Sequence, residues 1–198
     1  MRFLVLILLS FFVAFPACAQ DMVGDVRNFI WGVSKDDVKK FEKVILFEDV
    51  DNALFFIDDW DDVKILVGYE FQDDKLFRVS IDFQKPNYPD PAKAVEFYVT
   101  RELELDKTLG VKGQQETIWN DYYYANMPNH FPLAVLNGHV ELVTKWQTPR
   151  SNVTMRMKAE DFNYTHRITY ESRVLKEERQ EAQKQEESPL LALPAPAE

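Results

Sequence analysis

The sequence predicts an α+β fold in which antiparallel meanders carry helices packed on one face. Three observations predict it. Val63, Ile65, Val67, Tyr69 and Phe71 alternate with Lys64, Leu66, Gly68 and Glu70, and after a polar turn (Gln72 to Lys75) Phe77, Val79, Ile81 and Phe83 alternate with Arg78, Ser80 and Asp82. Period two on both arms marks a one-sided antiparallel hairpin. Asp90-Pro91 opens a long helical stretch and Gly110 closes it, an N-cap acid with proline at the first position and a glycine C-cap. The order is helix, three strands, helix, then about five strands. That is a helix followed by a meander, twice: a weak two-fold internal repeat with halves 27–86 and 87–172.

The elements follow in chain order. Met1-Arg2, the apolar run Phe3 to Phe15, Pro16 and Ala17-Cys18-Ala19 have the plan of a secretory signal peptide over residues 1–19. A run of 13 residues is too short to span a bilayer of roughly 30 Å as a helix, so no transmembrane segment is expected. The alternative is cleavage before Cys18, which would leave a lipid-anchored cysteine. Ser34 caps a helix running to Lys43, with Asp36 and Asp37 near its positive end. Trp31-Gly32 before it reads as a hydrophobic staple. Ala53 to Ile57 is the first strand. The hairpin over 63–83 supplies the next two.

The helix from Asp90 to Leu109 is expected to bury Val95, Tyr98, Val99, Leu103 and Leu109. Glu116 to Tyr124 reads as a strand with a Trp-Tyr-rich face. Pro132 to Leu136 and His139 to Thr148 read as strands flanking an Asn137-Gly138 type I′ turn. Val153, Met155 and Met157 alternate on the next strand. Arg167 to Glu171 is the last, with Ile168 and Tyr170 inward. Residues 173–187 (mostly Glu, Gln, Lys and Arg) read as a helix polar nearly all round. Ser188 to Glu198 holds three prolines and reads as a disordered tail. Residues 20–172 are expected to form a single α+β domain.

Charge and cysteine usage exclude several functions. The chain carries 33 acidic and 23 basic residues, a formal charge of −10, and one cysteine. Loss of residues 1–19 would remove Arg2 and Cys18, leaving 33 acids against 22 bases and no thiol. Disulfides, a thiol nucleophile and Cys-ligated zinc are then excluded. Phosphate repels so acidic a chain, so no nucleic acid partner is expected. No G-x-S-x-G elbow, Walker loop or S-x-x-K motif is present, and His130, His139 and His166 lack metal-ligand spacing. The acid run Asp58-Asp59-Trp60-Asp61-Asp62 places Val63 and Lys64 where an EF-hand needs an acid and a glycine. It reads as a solvated turn. No metal and no cofactor are expected.

The segment Phe29-Ile30-Trp31-Gly32-Val33-Ser34-Lys35-Asp36-Asp37-Val38, with Glu42 after it, resembles an F-x-W-G-x-S-x-(E/D)-(E/D)-V…E opening. That signature begins many small exported bacterial proteins of uncharacterised function. The Ile118-Trp119 pair and Trp146 to Thr148 fit the same plan, so the resemblance covers most of residues 27 to 175. It implies export and no known active site. More loosely, Gly32 to Val38 is similar to the start of outer-membrane assembly lipoproteins and β-lactamase-inhibitor-like modules. The Gly-x-Pro that ends their helix is missing here.

The candidate binding residues are Trp119, Tyr122, Tyr123 and Tyr124, because Trp and Tyr are enriched at binding hot spots. On a strand, Tyr122 and Tyr124 would share one face and Tyr123 the other. Taken together, the sequence points to an exported envelope protein of the bacterial periplasm. The expected function is non-catalytic binding of an envelope protein or peptide, at the aromatic cluster or an exposed sheet edge. The alternative is a periplasmic hydrolase using carboxylate and His residues in a cleft. A polar C-terminal helix that docks a partner is a third possibility.

Overall fold

Eight strands form one antiparallel sheet. In the computed structural model, residues 24–84, 90–160 and 163–178 are described. The expected signal peptide with Cys18, the tail and most of the polar helix lie outside them. Residues 173–178 are helical.

Helix α1 (Lys35–Phe41) starts where the sequence places it. Ser34 accepts a hydrogen bond from the Asp37 N–H at 3.2 Å, and Asp36 and Asp37 occupy the first turn. Strands β1 (Ile45–Val50), β2 (Ala53–Trp60), β3 (Val63–Gln72) and β4 (Lys75–Phe83) then run as a meander. Two of its turns are Asp61-Asp62 and Asp73-Asp74, all four residues at positive φ. Asp tolerates that region better than most residues, and positive φ at both centres matches the twist of a hairpin. The acid run is therefore hairpin geometry, with Asp61 committed to an ion pair with Arg101 at 2.7 Å.

Helix α2 (Pro91–Leu109) is capped by Asp90 and ended by Gly110 at φ 67°. Strand β5 (Gln114–Trp119) follows, then a 3₁₀ turn (Pro128–His130), helix α3 (Phe131–Leu136), and strands β6 (Val140–Gln147), β7 (Ser151–Glu160) and β8 (Asn163–Ser172). The strand order is β1-β2-β3-β4-β8-β7-β6-β5. Two four-stranded meanders thus meet at their last strands, where Ile81 stands opposite Ile168.

Three expectations are corrected here. The strand expected over 116–124 ends at Trp119, and Tyr122 to Tyr124 lie in the turn beyond it. Pro132 to Leu136 is helical. Asn137-Gly138 ends that helix instead of making a type I′ turn: Gly138 has φ 76° but Asn137 stays at −85°. Strand β1 was not foreseen in the sequence.

The core lies on one face of the sheet. Leu54, Phe56, Val67, Tyr69, Ile81, Met155, Met157 and Ile168 face it, and Val38 of α1, Tyr98 and Leu105 of α2 and Val135 of α3 close it. Trp31 ties the segment before α1 to the second meander. Its indole N–H donates to Ser151 Oγ at the start of β7, 2.9 Å away. Among the described residues no helix is long and apolar enough to cross a membrane.

Candidate functional site

The predicted aromatic residues form a corner at the end of β5, not a strand face. Trp119 is half-buried and stacks with Tyr122, centroids 6.3 Å apart. Tyr122 and Tyr123 are 74% and 69% exposed. Tyr124 turns inward, accepts a hydrogen bond from Asn137 Nδ2 at 3.1 Å and packs against the core. The two tyrosines are therefore free to meet a partner, while Trp119 and Tyr124 support them.

Two of the scattered histidines converge on this corner. His139 lies edge-on to Tyr124 at 5.0 Å, and His130 stacks on it at 6.3 Å. His139 Nδ1 meets Asp121 Oδ2. The Tyr123 N–H and the His139 contact hold the Asp121 carboxyl below the usual carboxylate range. Asp121, His139 and His130 thus gather at one surface corner, with the Asp121 carboxylate in direct contact with the His139 ring.

His166 is elsewhere, on β8 under α2. It stacks on Phe83 at 4.5 Å and meets Phe97 and Tyr98. Neither ring nitrogen has a hydrogen-bond partner. Burial, with the Arg101 charge added, pushes its pKa down to about 3. The ring is a neutral core aromatic and is not placed for proton transfer.

Helix α2 departs most from expectation. Its inward residues are Ala94, Tyr98, Arg101, Glu102 and Leu105, while Val99 and Leu103 are exposed. Arg101 lies over the rings of Trp60 and Phe97 at 5.4 and 5.0 Å. Its Nη1 makes ion-pair contacts with Asp61 and Glu104 without hydrogen-bond alignment. Glu102 turns the other way, toward β5 and β6. The only sequence signal for this was a pair of adjacent charges inside an otherwise apolar helical period.

The sheet's outer face is polar and mixed in sign. Across β4, β8 and β7, Asp82, Arg167 and Arg156 stand side by side above a cavity of about 470 Å³. Arg156 and Arg167 are directly opposed, a like-charge pair, but Asp82 contacts Arg167 at 2.5 Å and Glu141 approaches Arg156 at 3.7 Å. The acids offset the arginines, so this face carries no strong field of one sign.

The edge strand β1 is the remaining surface. Every one of its six residues is exposed, Ile45 at 73% and Phe47 at 61%, and Phe41 of α1 lies exposed just before it. It pairs with β2 alone, with a bulge between Leu46 and Glu48 that leaves Phe47 out of register. Lys35 and Lys39 hold Asp49 at 2.7 and 2.6 Å, fixing the strand to α1.

The fold and these surfaces define a single-sheet α+β chain with an unpaired apolar edge and an aromatic corner. Comparison with family models, with curated proteins and with solved structures gives no match, so the functional reading rests on geometry.

Proposed function

We propose that this chain is an exported, non-catalytic envelope protein that binds an extended segment of a protein or peptide partner by adding it to β1. The observation that carries the reading is the exposure of all of β1 with Ile45, Leu46, Phe47 and Val50 on it. An edge strand offers a row of unpaired N–H and C=O groups, and its side chains supply selectivity. Covering an exposed Phe or Ile fully is worth roughly 1.5–3 kcal/mol. The Tyr122–Tyr123 corner is a second contact surface in this reading. The helix-then-meander order and the meeting of the meanders at β4 and β8 support reading residues 27–86 and 87–172 as an internal repeat.

The test is site-specific photo-crosslinking of the full chain in its native envelope. The probe is placed at Phe47, at Tyr123 or at Thr117 on the opposite edge. A discrete adduct from position 47, absent from position 117, is expected. Adducts from 123 alone, or equal adducts from 47 and 117, would overturn the assignment to β1. Mass spectrometry of the mature N-terminus separates free export, starting at Gln20, from lipidation at Cys18.

A further inference from the structure

Glu102 is 4% exposed, yet the described ion pairs give it no cationic partner. Its carboxylate accepts from Gln115 Nε2 at 2.6 and 2.7 Å, and from Thr144 Oγ1 at 3.5 Å. The Thr144 hydroxyl is also bonded to Tyr98 OH at 2.8 Å. All of these donors are neutral. A carboxylate taken out of water normally has a paired charge close by.

Beside Glu102 a cavity of about 190 Å³ opens between α2, α3 and the β5–β6 pair. Val95, Val99, Phe131, Leu142 and Val143 supply its apolar wall. Val99 is half-exposed at the rim, so the cavity communicates with solvent. The space is below the roughly 300–1,000 Å³ of pockets for drug-sized ligands. It suits a single side chain or a short alkyl group. Helix α2 turns Glu102 toward this space while leaving Leu103 in solvent, a rotation that apolar burial alone does not favour.

We infer that this cavity binds a primary ammonium group carried on an apolar stem, with Glu102 as its counter-ion. The stem meets the aliphatic wall, and the ammonium supplies the charge that Gln115 and Thr144 do not. A guanidinium fits less well. Gln115 Nε2 already bridges both carboxylate oxygens, which blocks the bidentate fork and leaves room for a point contact. The ammonium can come from a lysine side chain of a partner chain or from a free alkylamine. This site is separate from β1, and failure of either assignment leaves the other standing.

The test uses the purified full chain. Binding of n-pentylamine is measured by titration calorimetry and as a rise in Tm that saturates with ligand, with n-pentanol as the neutral match. Acetyl-Gly-Lys-Gly-amide and its norleucine counterpart form the peptide arm. Pentylamine is expected to bind and pentanol not to. Glu102→Gln is expected to weaken the amine about thirty-fold or more. Val99→Trp, which fills the rim and keeps the carboxylate, is expected to abolish binding with the fold intact; it carries the test if Glu102→Gln does not fold. Binding of the lysine peptide identifies a protein source, and binding of pentylamine alone identifies a small amine. Equal binding of pentanol, unchanged binding by Val99→Trp, or no binding of either amine would overturn the inference.

Discussion

The two edges of this sheet solve the same problem differently. Strand β5 (QQETIW) ends one side with glutamines, Glu116 and Thr117, and Glu116 is bridged to Lys145 of β6 at 2.8 Å. Strand β1 (ILFEDV) ends the other with exposed aliphatic and aromatic side chains. Natural edges are blunted with charge, bulges or covering elements, because an open apolar edge templates association. The β5 edge is blunted by composition. Among the described residues the β1 edge has the bulge at Phe47, the acids Glu48 and Asp49, and Lys35 and Lys39 of α1 at its Asp49 end. The proposed binding role rests on this open apolar edge.

The same contrast runs beneath the edges. On the β1 side the buried polar groups satisfy one another. Tyr69 OH donates to Glu42 and accepts from Arg27 Nε at 3.1 Å, and Arg27 Nη2 reaches Asp58 at 2.6 Å. Under α2 the account is incomplete: Arg101 Nε and both nitrogens of His166 have no hydrogen-bond partner. The N-terminal meander is thus internally closed but open at its edge. The C-terminal one has a guarded edge and buried charge beneath it.

The largest effect that separates these roles is in the strand next to β1. Leu54 of β2 is fully buried, so Leu54→Ala should cost about 2–5 kcal/mol in chemical denaturation, from lost transfer energy and the cavity left behind. A cost below about 1 kcal/mol would mean that the first meander contributes little to the fold. The contrast with β1 would then collapse.

His166 tests the other side. Its folded pKa is below its unfolded value of about 6.5, so only the unfolded chain takes up a proton as pH falls from 6.5 toward 3. Stability is therefore unaffected by this group above pH 6.5 and is lost below it. By pH 5 the loss is about 2 kcal/mol. His166→Phe keeps an aromatic ring against Phe83 and removes the proton site, so the variant should lack that loss between pH 7.5 and 5. Staying above pH 5 limits interference from the carboxylates. Parallel pH profiles for the two proteins would show that His166 is solvated in the folded state.

Much of the first meander was legible because its chemistry is local. The alternation over 63–71 and 79–83 matches the inward side chains, but a register shift after Glu70 buries Leu76 in place of the expected Phe77. Ser34, Asp90-Pro91 and Gly110 mark helix ends by their own hydrogen bonds and φ values. The misses have different physical causes. Ile45 to Phe47 shows no alternation because neither face of β1 is covered. The rotation of α2 is set by Asp61 and Gln115, which hold Arg101 and Glu102. At Asn137-Gly138 the preceding helix decides, since the Asn137 N–H returns to Leu133 O and the Gly138 N–H to Val135 O. Of the four predicted aromatic site residues, two reach solvent and two are structural. Calling that segment a strand hid the difference.

The smallest expected change in stability gives the sharpest test of the edges. Phe47 is 61% exposed and stands out of register with β2, so Phe47→Lys removes no core contact and interrupts no paired position. Surface changes of this kind alter stability by about 0.5 kcal/mol or less. Lysine on an edge strand also opposes the approach of another strand. The variant should therefore unfold at the same denaturant concentration as the parent and yet lose partner capture at β1. The matched change on the guarded edge, Thr117→Lys, should leave both unchanged. If Phe47→Lys is destabilised by more than about 1 kcal/mol, the exposed ring is part of the fold and β1 is not a free edge. If both variants capture partner equally well, the apolar composition of β1 has no role in binding, and the two edges differ in sequence only.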